Sequence, residues 1–188
     1  PTSAKFSTYT YSLHAGQYVV WEDMATTKNH EIPLRLFARK SLARYVQTED
    51  WFTWTKQGFE FFESYFSSPY PYVKYDQILV PDFNHGAMEN VGAVIWNEDR
   101  YVAKGEKTRA QRRRLAGTLF HEMAHMWFGN LVTMKWWYDL WLNESFATYS
   151  AYKGLAEATE FKEIWKSFSM RNQGTYRLDQ SVKTNQVA

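Results

Sequence analysis

The sequence contains no cysteine, and that absence removes several chemistries at once. It leaves no disulfide framework, no thiolate metal site and no cysteine nucleophile. Long apolar runs are also missing. None approaches the roughly 20 residues that a membrane span needs, so no membrane segment is expected. Net charge is small, +2 over 188 residues, which gives no general attraction to nucleic acid or anionic membranes. The opening residues Pro1-Thr2-Ser3-Ala4-Lys5 lack a basic-then-apolar signal pattern, and a cytoplasmic location is the expectation. There is no Gly/Ser linker, low-complexity tract or internal repeat. With 45% apolar residues the chain has enough core to fold without staples. What it has in excess is aromatic: nine Trp, thirteen Tyr and thirteen Phe.

Residues 6–47 read as β-rich. Phe6 to Tyr11 and Gln17 to Trp21 are short runs of β-branched and aromatic residues, and Ile32 to Ala38 alternates at period two. The polar stretch Thr26-Thr27-Lys28-Asn29-His30 separates them as a candidate boundary. Thr48-Glu49-Asp50 predicts a helix N-cap with an acidic first turn, followed by Trp51, Phe52, Phe59, Phe62 and Phe66 mostly on one face. Ser68-Pro69-Tyr70-Pro71 ends that helix. Two strands are predicted at Gln77 to Val80 and Val91 to Trp96, joined by a turn-prone Pro81 to Gly86. Helices follow over about Thr108 to Phe128, stopped by Gly129-Asn130, then Tyr138 to Glu157. A last helix starts near Thr159 and carries Phe161, Ile164, Trp165 and Phe168. Strands first and helices afterwards predict an α+β domain.

The strongest chemical signal is His121-Glu122-Met123-Ala124-His125. Four residues advance a helix by about 400°, so both imidazoles leave nearly the same face one turn apart. Two neutral nitrogens so placed can grip a tetrahedral Zn²⁺. Glu122, about 100° away, can stand beside the metal and exchange a proton with its water and with a leaving amine. The same pattern on a solvated helix would be inert. Here Leu115, Leu119, Phe120, Met123, Ala124, Trp127 and Phe128 surround it, and unpaired polar groups in a buried helix are costly. A catalytic zinc keeps three protein ligands. Glu144, in Trp141-Leu142-Asn143-Glu144-Ser145-Phe146-Ala147, follows His125 after 18 residues and interrupts an apolar stretch. It is the candidate third ligand.

H-E-M-A-H-M-W-F-G-N, then W-L-N-E-S-F-A, with upstream Gly86-Ala87-Met88-Glu89-Asn90, resembles the gluzincin aminopeptidases of the aminopeptidase N family. The resemblance covers nearly the whole chain and is densest over residues 78–150. It implies a thermolysin-like zinc metallopeptidase catalytic domain: a β-rich part with an edge substrate strand, then helices carrying the ligands. Residues 1–25 would be trailing strands of an N-terminal β domain, and 26–188 a catalytic domain cut short at its C-terminal end. One Zn²⁺ per chain would sit on His121, His125 and Glu144, with Glu122 as general base and then acid. Gly86, Ala87, Met88 and Glu89 would hold the substrate backbone. Glu89 would take the free α-amino group, where a cationic amine gains a charge-assisted hydrogen bond. His85 would line the pocket for the first side chain, or stand on a surface loop. The implied partners are peptides with a free N-terminus and further N- and C-terminal domains of the same enzyme, with no nucleic acid.

Two departures from the family pattern stand out. The family's oxyanion tyrosine lies farther after the third ligand than residue 188, and neither Tyr149 nor Tyr152 matches its motif. Loss of such a donor typically costs about 10²–10³ in rate. Ala151 stands where many members carry a carboxylate that orients a ligating histidine. Asp139 or Thr148 is the candidate substitute. The alternatives are therefore a zinc-binding fragment without turnover, or another zinc hydrolase of the family, an endopeptidase or an epoxide hydrolase. Lys104, Lys107, Arg109, Arg112, Arg113 and Arg114 form a basic cluster for solvent or a further domain. Trp127, Trp136, Trp137 and Trp141 are predicted to pack in the core.

Overall fold

The computed structural model describes residues 5–180. Its sheet begins with β1 (Tyr18–Thr26) and β2 (Glu31–Arg39), an antiparallel hairpin in register from Tyr18 opposite Arg39 to Thr26 opposite Glu31. The period-two pattern of β2 sends Ile32, Leu34, Leu36 and Ala38 into the core. The chain then crosses through α1 (Thr48–Tyr65) and returns as β3 (Tyr75–Val80), parallel to β2. All six β3 residues are buried, as befits a central strand covered on both faces. β4 (Ala87–Met88) pairs antiparallel with β5 (Ala93–Asn97), and β5 pairs parallel with β3. The strand order is β1-β2-β3-β5-β4, so β4 lies at an edge.

After the short α2 (Glu98–Tyr101) come α3 (Arg109–His125), α4 (Glu144–Ala158) and α5 (Ile164–Asp179). α1 packs against β1, α3 and α4, and α4 packs against α3. Trp51, Trp54, Phe59 and Phe62 of α1 share one apolar cluster with Trp96 of β5 and Leu115, Leu119, Phe120 and Met123 of α3. Each such buried side chain contributes about 1.5–3 kcal/mol, so α3 is held from several sides. The fold is thus a mixed arrangement of a five-stranded sheet and helices. Among the described residues no helix is long and apolar enough to cross a membrane.

Several local expectations are corrected. Phe6 to Tyr11 forms no strand. Thr8–Thr10 is a 3-10 turn, because the Thr10 hydroxyl and N–H both donate back to the Ser7 carbonyl. Thr27 to His30 closes the β1–β2 hairpin, with Thr27 N–H donating to His30 O at 3.0 Å. Residues 25 and 26 are the last two of β1, which is paired with β2 along its length, Ala25 opposite Ile32 and Thr26 opposite Glu31. The predicted helix from Tyr138 is two elements: Trp137–Leu142 is 3-10, with Asp139 outside helical geometry, and α4 starts only at Glu144. Thr159 does not start the last helix. Its hydroxyl donates to Leu155 O and accepts from Phe161 N–H, which closes α4 instead. Of the four tryptophans predicted for the core, only Trp127 is buried, while Trp136, Trp137 and Trp141 are exposed. The basic cluster is partly consumed internally, through Lys107 to Gln47, Arg109 to Glu163 and Arg112 to Asp50.

Candidate functional site

Thr108 caps α3, accepting from Gln111 N–H while the Gln111 side chain accepts from Thr108 N–H. That start, and the buried stripe Leu115, Leu119, Phe120, Met123, fixes the helix rotation so that His121 and His125 share one edge. Their Nε2 atoms lie 3.0 Å apart. Glu144 Oε2, from the first residue of α4, lies 3.5 Å from His121 Nε2 and 3.8 Å from His125 Nε2. Tetrahedral zinc with bonds near 2.0–2.1 Å separates its ligand atoms by about 3.3–3.4 Å, so this triangle is of the right size for one ion.

Protonation favours the same reading. His125 Nδ1 faces the Phe128 carbonyl at 3.1 Å. A carbonyl only accepts, so the proton sits on Nδ1 and Nε2 presents a lone pair. Burial, with neighbouring His121, holds the His125 pKa below its ordinary value and keeps the ring neutral. His121 Nδ1 meets Thr148 Oγ1 at 3.3 Å. The His121 contact holds Glu144 below the usual carboxylate range despite partial burial.

Glu122 is buried, and its Oε2 has no hydrogen-bond partner among the described residues. Burial first, then Glu89 and Glu144, push its pKa well up. Glu89 is also buried, and its carboxylate, that of Glu122 and a His125 ring nitrogen lie within 4.8 Å of one another. The main chain at Glu89 is pinned: Asn130 Nδ2 donates to Glu89 O at 2.8 Å, and Asn90 Nδ2 donates to Thr10 O at 2.7 Å.

A cavity of about 580 Å³ joins these groups. His85, Gly86, Ala87, Met88, Glu89, His121, Glu122 and Glu144 all line it, and His125 lies buried beside His121. His85 thus faces the cavity, its ring edge-on to Phe83 with centroids 5.8 Å apart. Every sequence-predicted site residue is brought together. Among the described residues no Lys or Arg is in the cavity's lining.

Sequence reasoning missed Tyr9, Tyr101 and Trp137 of the lining. Nothing local marks Tyr9, which precedes Glu89 by 80 residues. Of the two substitutes weighed for the carboxylate that Ala151 cannot supply, Thr148 is the one that meets His121. Gly129 has a further role. Its φ is +126°, and a Cβ there would lie 2.5 Å from Asn143 Oδ1 and 3.2 Å from His125 Nδ1. Only glycine lets this turn pass so close beneath both halves of the site.

The sequence profile described as "Peptidase family M1 domain" matches residues 51–188. The chain is 41% identical over 186 residues to an aminopeptidase N of Streptomyces lividans, covering 97% of this chain and 22% of that protein. It is 37% identical over 179 residues to a tricorn protease-interacting factor F2 of Thermoplasma acidophilum, covering 95% of the chain and 22% of the relative. A glutamyl aminopeptidase of Bos taurus is 37% identical over 175 residues, 91% of the chain and 17% of the relative. The chain therefore spans about a fifth of the length of these curated relatives.

Proposed function

The chain belongs to peptidase family M1, and on that footing we propose that it is the core of a zinc aminopeptidase that removes single residues from the free N-terminus of peptides. The observation that carries this reading is charge. Three carboxylates, Glu89, Glu122 and Glu144, line one cavity whose lining holds no lysine or arginine among the described residues, while Arg113, Arg114 and Arg171 line the adjoining cavity that shares His121 and Glu144. Glu89 and Glu122 are buried and Glu144 is half exposed, and buried carboxylates need compensating charge. A divalent metal and one substrate ammonium supply that charge, and they would let Glu122, whose pKa burial raises, ionise.

His121, His125 and Glu144 would hold the metal. When bound, zinc polarises the scissile carbonyl and acidifies water. Glu122, with an unpartnered oxygen beside the histidines, takes the proton from the attacking water and returns it to the leaving amine. Glu89 accepts from the α-ammonium and so sets which peptide bond stands over Glu122. β4, at the edge of the sheet, offers Ala87 and Met88 main-chain groups to an extended substrate. His85 lines the space for the first side chain. We read this as a thermolysin-like catalytic core, with the remaining length of the relatives supplying further domains.

The test is turnover of leucine p-nitroanilide and of its N-acetyl derivative by the zinc-loaded protein. The free amine should be cleaved and the acetylated compound spared, and Glu122→Gln should abolish cleavage while one zinc per chain is retained. Equal cleavage of both compounds would remove Glu89 from its role. Stoichiometric zinc without any turnover would support a zinc-binding fragment lacking its oxyanion donor.

A further inference from the structure

We propose that Tyr9 is a positioning residue of the amine site, its hydroxyl holding one oxygen of Glu89 so that the other faces the substrate ammonium. This rests on the reading of Glu89 as the amine acceptor. Tyr9 lies outside every motif noted in the sequence, yet its hydroxyl donates to Glu89 Oε1 at 2.8 Å. The residue lines the same cavity as Glu89, Glu122 and Glu144, with its ring half exposed at the rim.

The segment carrying it is tied to the substrate strand by an independent contact. Asn90 Nδ2 donates to Thr10 O, and both residues are buried. The 3-10 turn Thr8–Thr10 is therefore fastened beside the Glu89 main chain, and the phenol is delivered to the carboxylate by a short, closed geometry. Asn130 Nδ2 donates to the carbonyl of Glu89. The backbone of Glu89 is thus fixed by Asn130, and its side chain by Tyr9.

This division of labour matters because Glu89 stands close to the carboxylate of Glu122. Left without a donor, the side chain would turn away from its like-charged neighbour to reduce repulsion. A neutral hydroxyl can hold it in place without cancelling the negative charge the ammonium must meet. A lysine or arginine in the same place would hold the carboxylate equally well and neutralise the site. The phenol is also a dependable donor, since burial and the Glu89 charge push its pKa well above the ordinary value.

The test uses the zinc-loaded chain and two probes, leucinamide and N-acetylleucinamide, titrated calorimetrically. Wild type should bind the free amine more tightly than the acetylated compound. Tyr9→Phe keeps the ring and removes the donor. It should weaken leucinamide by about tenfold, the size of one charge-assisted hydrogen bond, and leave N-acetylleucinamide unchanged. Retention of one zinc per chain by the variant shows that it has folded. Glu89→Gln separates the two claims. If Glu89→Gln loses the free-amine preference and Tyr9→Phe keeps it in full, the role of Tyr9 is overturned while that of Glu89 stands. If neither variant loses the preference, or wild type has none, the reading of Glu89 fails and the Tyr9 proposal falls with it.

Discussion

His121 and His125 stand on α3, whose apolar face is enclosed by α1 and α4, whereas Glu144 stands at the first residue of α4, half exposed, behind a 3-10 segment that carries Trp136, Trp137 and Trp141 on the surface. One side of the candidate metal centre is part of the core and the other is part of its rim. The histidine pair is pre-set by packing and by a Phe128 carbonyl that selects one tautomer. The glutamate depends on how the 131–143 segment lies against that packed side. The difference teaches that a ligand triad can be rigid in two members and adjustable in the third, and substitutions on the two sides should behave unlike one another.

The largest contrast concerns the ligands themselves. His125→Ala should take zinc from one per chain to none, whereas Glu144→Gln should retain weakened binding, because its amide oxygen still points at the histidines. Plasma emission measurements on the dialysed variants decide this, and equal loss would erase the distinction. For stability, Trp127→Ala should cost about 3–5 kcal/mol in denaturant unfolding, as expected for a large buried aromatic. Gly129→Ala should cost about 1–3 kcal/mol, because its Cβ drives Asn143 and His125 apart, and it should weaken zinc binding as well. Thr148→Val removes the polar partner of His121 and should lower zinc affinity by about tenfold, with little change in melting temperature. Trp137→Ala sits at the small end, within about 0.5 kcal/mol of wild type. A large loss there would mean that the exposed segment is as integral as α3.

The packed side was also the legible side. The spacing of His121 and His125, the apolar stripe around them, and the period-two pattern of Ile32 to Ala38 each follow from a repeat that burial enforces. His121 and His125 could therefore be named from their spacing, while Glu144 on the rim and Glu89 were joined to them through the motifs they sit in. The rim obeyed no repeat. Trp136, Trp137 and Trp141 read as core because aromatic content alone cannot distinguish a buried face from an exposed one. The break at Asn143 was missed because residues 138–157 are compatible with one continuous helix, and the sequence does not show that Gly129 passes close to Asn143 there. Thr10 and Thr159 misled for a shared reason: each hydroxyl bonds its own neighbouring backbone and replaces the strand or helix start that propensity suggested. Tyr9 was out of reach altogether, since its partner lies 80 residues away.

X-ray absorption at the zinc edge of the loaded protein tests the central claim most directly. The account predicts one zinc per chain with two imidazole nitrogens and carboxylate oxygen in its first coordination sphere, and loss of both imidazole contributions in the His121→Ala, His125→Ala double variant. A full complement of zinc with unchanged coordination in that double variant would contradict it.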